Sequence, residues 1–464
     1  MKKLTLILSI ILFGTILVYA DEEYTPKEEW MGIYIGEQKV GYAYTITQGS
    51  EDGGYIITTR TIIKTAWEDG EEQKIETSIK YYATEDYAMK SFITEIPQPN
   101  QPIRVEGEIV GDVLKINVYT GGEVEKGEIP LAQDTYFPVS MKGIVARYGL
   151  QEGSRYEVPI FDQSKFSKIN QIISVEGKEK LTIGGKEYEA IKLQSTISGN
   201  TFYTWVTEEG EILKEVSSMG ISMIKESREE ALTIDTKELL NIASYYSIPS
   251  SVEIPSFWKT LYLKVELDGI DDISSVDIED ERQKILSKEP LCVRIITTSM
   301  GDIQQPTSED LSATALIQSD SPLIKETAQK IVGDVMTDSI KVTKILNWMY
   351  ENISKRNSPY TTSALEVLNT REGDCWEHSV LFCALARAAG IPARVCYGVV
   401  YNDGMFSYHA WNKVFVKGKW VAVDPVYHQF PCDATHIKLA EGEGSYILLT
   451  NIMGKLKIKV VEYR

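Results

Sequence analysis

From Trp30 to about Ser227, apolar and polar residues alternate in short runs broken by Gly, Asp and Asn. Examples are Ile33-Tyr34-Ile35, Tyr55-Ile56-Ile57-Thr58-Thr59 and Tyr203-Thr204-Trp205-Val206-Thr207. A period of two with turn residues at intervals of about 8 to 12 positions predicts antiparallel sheet. Gly184-Gly185, between Thr182-Ile183 and Lys186-Glu187-Tyr188, predicts a tight hairpin, and Gly210 marks a looser one inside Thr207–Leu213. Residues 21–235 therefore read as a β-rich domain of long, curved strands.

A short helix is expected around Thr236 to Tyr245, followed by Pro249, Pro255 and a second alternating stretch from Leu261 to Leu267. Residues 236–310 read as a connecting helix and small β module. Helical periodicity begins only afterwards. Ser321-Pro322 supplies an N-cap and a proline at the first helical position, and Val342, Ile345, Leu346, Met349 and Ile353 are spaced as a buried helical stripe. Ser363 and Glu366 fit a capping box. Residues 311–464 then form a last domain, and the fold class expected for the chain is α+β.

The chain has 464 residues with 43% apolar and 10% aromatic content, more than one hydrophobic core usually organises. Its 67 acidic against 48 basic residues give a formal charge of -19, which repels phosphate backbones and anionic lipid and argues against a nucleic-acid partner. Lys2-Lys3, an apolar run from Leu4 to Val18, and Val18-Tyr19-Ala20 ahead of Asp21-Glu22-Glu23 have the order of a secretory signal peptide, residues 1–20. The run is short for a span of ~20 residues and contains Thr5, Ser9 and Thr15, so cleavage is expected rather than anchoring. The chain is accordingly expected outside the cytoplasm, in a periplasm, at a cell surface or secreted. It would touch the membrane only through an uncleaved signal segment.

Five cysteines, Cys292, Cys375, Cys383, Cys396 and Cys432, are an odd number for an exported chain, so at least one stays free or pairs between chains. Cys383 and Cys396 sit in apolar segments and read as buried small hydrophobes. A Cys292 to Cys432 disulfide has no support in the sequence. Cys375 is different. Gly373-Asp374-Cys375-Trp376-Glu377-His378 opens an apolar helix that stops at Gly390-Ile391-Pro392. With Asp374 as N-cap, Cys375 falls in the first turn, where backbone N–H groups lack helical partners and the dipole favours a thiolate. The same N–H groups can meet an oxyanion.

Beyond the helix, Tyr408-His409-Ala410-Trp411 begins a strand that turns at Lys417-Gly418 into Trp420-Val421-Ala422-Val423-Asp424. If the turn has two residues, Val416 pairs with Lys419 and Trp411 lies opposite Asp424. His409 then lies diagonally from Asp424 on the same face, at about 7 to 8 Å between backbones, within reach of an imidazole and a carboxylate.

These segments resemble the transglutaminase-like superfamily, which shares its architecture with papain-type proteases. The resemblance rests on Gly373-x-Cys375-Trp376, Leu385-Ala-Arg-Ala-Ala-Gly390-Ile-Pro-Ala-Arg394-Val, Tyr408-His409-Ala-Trp411 and Trp420-x-Ala-Val-Asp424-Pro425. It covers roughly residues 320–440 and leaves the N-terminal half without a family. It implies a helix bearing the thiol packed on an antiparallel sheet, with Cys375 as nucleophile, His409 as base and Asp424 as the carboxylate orienting that base. The implied chemistry is acyl transfer through a thioester. Hydrolysis of peptide or side-chain amide bonds is the first expectation, and transfer of a protein glutamine acyl group to an amine, hence crosslinking, is the second. The substrate expected is a protein or peptide. Tyr360 and Trp348 are candidates for a second oxyanion donor, Trp348 also reading as core.

Other readings remain in view. Cys375 alone would default to a buried cysteine, and His378, one turn from Cys375, is a rival base without a carboxylate partner. Cys375-x-x-His378 and Cys432-x-x-x-His436 superficially resemble paired metal ligands. A ligating cysteine inside a long helix fits that poorly, and neither a metal nor an organic cofactor is expected. The segment Asp433-Ala-Thr-His436 either lines an acyl site or is a structural loop. Trp376, Trp411 and Trp420 read as wall and core, with Trp411 placed to shield a thioester. In a third reading the β-rich half binds a cell-envelope ligand and the thiol domain is a scaffold.

Overall fold

The computed structural model describes residues 26–464 except 52, 67–69, 71, 97–102, 121–122, 132–134, 138–140, 163–166, 198–199, 236–238, 256–258, 298–303, 357–362, 444 and 446. The proposed signal segment and Tyr360 lie outside the described residues. The chain divides into two compact units that meet in sequence between Asn241 and Ile242. As the alternation predicts, the architecture is α+β, with strands dominating the first unit.

Among the described residues the first unit is built on one antiparallel sheet of fourteen strands. Eight strands, from Lys27–Ile35 to Glu123–Pro130, follow one another as a meander. Six more, from Arg155–Asp162 to Ile221–Glu226, form a second meander. The two are joined where the first strand pairs with the last, Trp30 opposite Glu226 and Ile35 opposite Ile221. The Gly184-Gly185 hairpin has the expected register, Ile183 opposite Lys186. Both glycines take positive φ, 55° and 75°, which a two-residue turn of this hand requires.

The buried face of this sheet is unusually rich in threonine, and some of its hydroxyls find partners across strands. Thr45 and Thr59 meet at 2.8 Å, and Thr65 donates to Gln73 at 3.2 Å. Hydrogen bonding between neighbours makes such burial tolerable. Where the helix Met141–Tyr148 packs, the core turns aromatic, with Phe92, Phe137 and Phe161 all buried and in ring contact. Gly107 makes room for Phe92, since a Cβ there would stand 2.2 Å from the ring.

In the second unit the helices Pro322–Val332, Asp338–Asn352 and Ala364–Thr370 surround the helix Cys375–Ala388. Val342, Ile345, Leu346, Met349 and Ile353 are all buried, as their spacing predicts. Trp348 departs from the core reading: it is half-exposed, with the Arg371 guanidinium 4.8 Å above its ring. The helix Cys375–Ala388 buries every side chain from Trp376 to Ala386. It lies on a sheet ordered Ile248–Pro249, Met405–Val416, Ala393–Asn402, His436–Glu441, with Lys419–Val423 also pairing to Met405–Val416. A second sheet, ordered Gln283–Lys288, Leu291–Ile296, Tyr262–Asp268, Lys457–Tyr463, binds the stretch set apart as a connecting module to the C-terminal strand of the same unit. The short helix expected at Thr236–Tyr245 is confined to Ile242–Tyr245 within the described residues.

Candidate active site

Asp374 caps the helix Cys375–Ala388 and forms a capping box with Glu377, whose Oε2 accepts the Asp374 backbone N–H at 3.0 Å. Gly373 is needed here for space. A Cβ at that position would stand 2.2 Å from the Cβ of Glu377. The box fixes Cys375 at the first position of the helix, part-exposed as a residue but with its thiol enclosed against the backbone N–H of Ala410. Ala410 is the immediate neighbour of His409.

The hairpin carrying His409 has the predicted register. Val416 pairs with Lys419 and Asn412 with Val423, through a turn in which Lys417 and Gly418 have φ of 53° and 73°. Pairing with the neighbouring strand stops there. Asp424 instead bridges to Gln429, each donating its backbone N–H to the other's carbonyl at 2.9 and 3.0 Å. Pro425 has no N–H to offer, and the turn it opens presents the N–H groups of Val426 and Tyr427 to Asp424 Oδ1 at 2.7 and 2.9 Å.

Asp424 Oδ2 lies 2.8 Å from Nε2 of His409. With Nε2 engaged by the carboxylate, Nδ1 is the ring nitrogen left for proton transfer. The ring of Trp411, almost wholly buried, stacks beside His409 with centroids 6.1 Å apart, and the tilted ring of Tyr427 lies 5.2 Å from it.

A second imidazole completes the cluster. His436 Nε2 lies 3.0 Å from the same Asp424 Oδ2, while its Nδ1 lies 3.3 Å from Asp433 Oδ1. Thr435 fixes that Asp433 oxygen through its backbone N–H at 2.9 Å and its hydroxyl at 2.6 Å. The sequence leaves Asp433 to His436 open between site and loop; the structure brings both residues into the cluster. His409, Asp424 and His436 have ligand-type atoms within 4.8 Å of one another. Those same atoms are the ones engaged in the hydrogen bonds between the two imidazoles and the carboxylate.

Electrostatics separate these groups. Burial by itself would raise the Asp424 carboxyl, but the charge and hydrogen bond of His409, joined by those of His436, hold it well below the usual carboxylate range. Burial disfavours a charged His436, yet its hydrogen bonds to Asp424 and Asp433 prevail and raise it. The Cys375 thiol departs from the acidified state that the helix position predicts. Burial pushes it well above its ordinary value, and the adjacent Asp374 carboxylate adds to the effect. The Asp374 side chain also accepts the backbone N–H of Cys375, the donor expected for an oxyanion. Burial is thus the main influence opposing ionisation of the thiol, and the cap that locates it adds to the effect.

The rival base is turned away. His378 Nδ1 lies 2.8 Å from the carbonyl of Asp374, and the ring also meets the carbonyl of Ile353. Its imidazole is buried, and that burial lowers it. Cys432 packs with Cys396, Trp411 and Ala422 rather than pairing with His436 as a ligand set. All five cysteines are free thiols. Burial raises Cys383 to about 11.

Residues 325–425 match the model of the transglutaminase-like superfamily. Over 96 residues the chain is 35% identical to an uncharacterised protein of Haemophilus influenzae, a match covering 20% of this chain and 26% of that protein. The chain thus spans about a quarter of that relative's length. Among solved structures it is similar to a Cytophaga hutchinsonii protein proposed to be a cysteine protease (18% identity, 44% of this chain and 87% of that one, TM-score 0.28). It is also similar to a β-barrel-like protein of a domain of unknown function from Brucella abortus (11%, 44% and 97%, 0.35). A third likeness is to the periplasmic domain of TgpA from Pseudomonas aeruginosa bound to ethylmercury (14%, 40% and 93%, 0.29). The matched residues hold the helix of Cys375 and the hairpin of His409 and Asp424, and the chain carries a transglutaminase-like domain in its second unit.

Proposed function

We propose that the protein is a thiol-dependent acyl-transfer enzyme that hydrolyses peptide or side-chain amide bonds. The observation that carries this reading is the 2.8 Å contact between His409 Nε2 and Asp424 Oδ2 beside a helix-terminal cysteine. His409 Nδ1 takes the proton of Cys375 as Sγ attacks the amide carbonyl carbon. The oxyanion is stabilised by the Cys375 backbone N–H once Asp374 releases it. Collapse breaks the C–N bond, the amine leaves with the proton held by His409, and a thioester to Cys375 remains. Water then attacks the thioester carbonyl, giving one proton to His409; collapse breaks the C–S bond, His409 returns that proton to Sγ, and the carboxylic acid departs. Asp424 keeps the imidazole in the required tautomer and balances its charge.

The test is mass spectrometry of the chain treated with a thiol-directed acyl probe, followed by incubation with peptides with and without a primary amine. The expected result is an adduct on Cys375 and new peptide termini. Amine incorporation instead of hydrolysis would identify a transferase, and no adduct on Cys375 would overturn the thiol mechanism. We further propose that the protein acts outside the cytoplasm, on the strength of the charged, apolar and small-residue order at the N-terminus. N-terminal sequencing of the mature protein should then begin at Asp21.

A further inference from the structure

Asp424 is hydrogen-bonded by more groups than a base-orienting carboxylate needs. Oδ1 receives two backbone N–H groups, and Oδ2 faces two imidazole nitrogens at 2.8 and 3.0 Å. The second imidazole, His436, has no solvent exposure and a carboxylate oxygen at each ring nitrogen. A neutral imidazole carries only one N–H. In that form one nitrogen lone pair would face the lone pairs of a carboxylate at hydrogen-bond distance, in a site closed to bulk solvent. An imidazolium donates to both.

We propose that His436 is a positioning residue of this site, an imidazolium held between Asp424 and Asp433 that shares the Asp424 carboxylate with His409. The proposal rests on reading Cys375, His409 and Asp424 as the reacting set, and goes beyond it by adding a charge that tunes the base. One carboxylate facing two imidazoles cannot give its full charge to either. His436 draws on Asp424 from one side and so weakens its stabilisation of a protonated His409. A base that releases its proton more readily passes it on to the leaving amine more readily.

Among the described residues, three charged or titratable groups meet His436. They are Asp424 after the strand Lys419–Val423, Asp433 on the preceding segment, and His409 on the strand Met405–Val416, with ring centroids 6.3 Å apart. Arg282 stands behind Asp433, its guanidinium donating to the Asp433 carbonyl at 2.6 Å. The ring of Trp411 packs near-perpendicular to that of His436, with centroids 5.3 Å apart. Two carboxylates are thus matched by one guanidinium and one imidazolium, a near-neutral set before His409 takes any proton.

The experiment is an NMR titration of the full chain labelled with 13C at histidine Cε1. The four histidines give four signals, and exposed His428 serves as reference. In the native chain His436 should remain protonated through neutral pH. Asp433→Asn keeps an oxygen for Thr435 but removes a charge. His436 should then lose its proton at lower pH, and the pH profile of acyl-probe labelling at Cys375 should shift with it. His436→Gln should shift that labelling profile in the same direction. A neutral His436 at pH 7 in the native chain, or an unshifted labelling profile in the folded Asp433→Asn protein, would overturn the proposal. If His436→Gln does not fold, Asp433→Asn still decides. Failure of the probe to label Cys375 would instead overturn the enzyme reading and leave the titration result intact.

Discussion

The side chain of Asp374 accepts the backbone N–H of Cys375. One carboxylate therefore both starts the helix and occupies the donor beside the thiol. Replacing it with Asn preserves a capping oxygen but removes the charge. Because the Cys375 thiol is raised well above 9.0, its thiolate fraction is small at neutral pH and grows only as pH rises. Asp374→Asn should lower that threshold. Alkylation of Cys375 by iodoacetamide, followed by peptide mapping at pH 7 to 10, should accelerate about three- to tenfold at fixed pH below the midpoint. In the native chain Cys375 should still be modified first, as the one cysteine of the five that is not buried.

Asp424→Asn leaves two imidazoles sharing an amide that can balance neither. Acyl-probe labelling of Cys375 should fall by several orders of magnitude, the scale on which an orienting carboxylate acts. His378→Ala, which alters a ring bound to backbone carbonyls, should cost less than about tenfold. The opposite ranking would exchange the roles of His378 and His409.

Gly373→Ala places a methyl 2.2 Å from the Cβ of Glu377. Neither atom is the end of a flexible chain, so the capping box must shift. We expect a loss of about 1 to 3 kcal/mol in urea unfolding. A variant with unchanged stability and unchanged Cys375 labelling would show that the helix start absorbs the methyl.

Glu441 receives Arg394 at 2.6 Å, Lys413 at 2.5 Å and Lys438 at 3.5 Å. Burial opposes its ionisation, but these cations, Lys413 foremost, bring it down to about 2 from an ordinary 4.5. Since the folded value is the lower one, the unfolded chain binds more protons in this interval. The stabilisation is therefore complete above the unfolded value and is lost as pH falls to about 2. It amounts to about 3 kcal/mol. Hydrogen exchange in the strand His436–Glu441 should report that loss in the native chain, and Glu441→Gln should remove this pH dependence while weakening the unit at pH 7.

Local chemistry made the hairpin and the helix start readable in sequence. A two-residue turn fixes the register of Val416 and Lys419, and that register alone carries His409 toward Asp424. Asp374 reads as a cap because an acid before an apolar run satisfies free N–H groups. His436 was less legible because its strand joins the site through pairing with Ala393–Asn402, Val400 opposite His436, across more than thirty intervening positions. No turn rule specifies that neighbour. The thiol's environment departs from its sequence reading for another reason: the helix start is visible in sequence, while the burial that raises the thiol, and the direction in which the Asp374 carboxylate points, are set by the tertiary fold. Trp348 fits a helical stripe by spacing but falls at its margin, under Arg371.

The seam of the fourteen-stranded sheet has a consequence for the order in which that unit forms. Among the described residues every other pairing of its named strands joins strands adjacent in sequence, whereas the first strand waits for the last, with Trp30 meeting Glu226. Each meander can assemble from short loops, but the closure between them carries the entropy of nearly the whole unit. Until residues near 226 are available, the strand Lys27–Ile35 has an open edge that could pair with another chain. Truncation just before Ile221–Glu226 should therefore yield two hairpin arrays with exposed inner edges, a species prone to join its own kind.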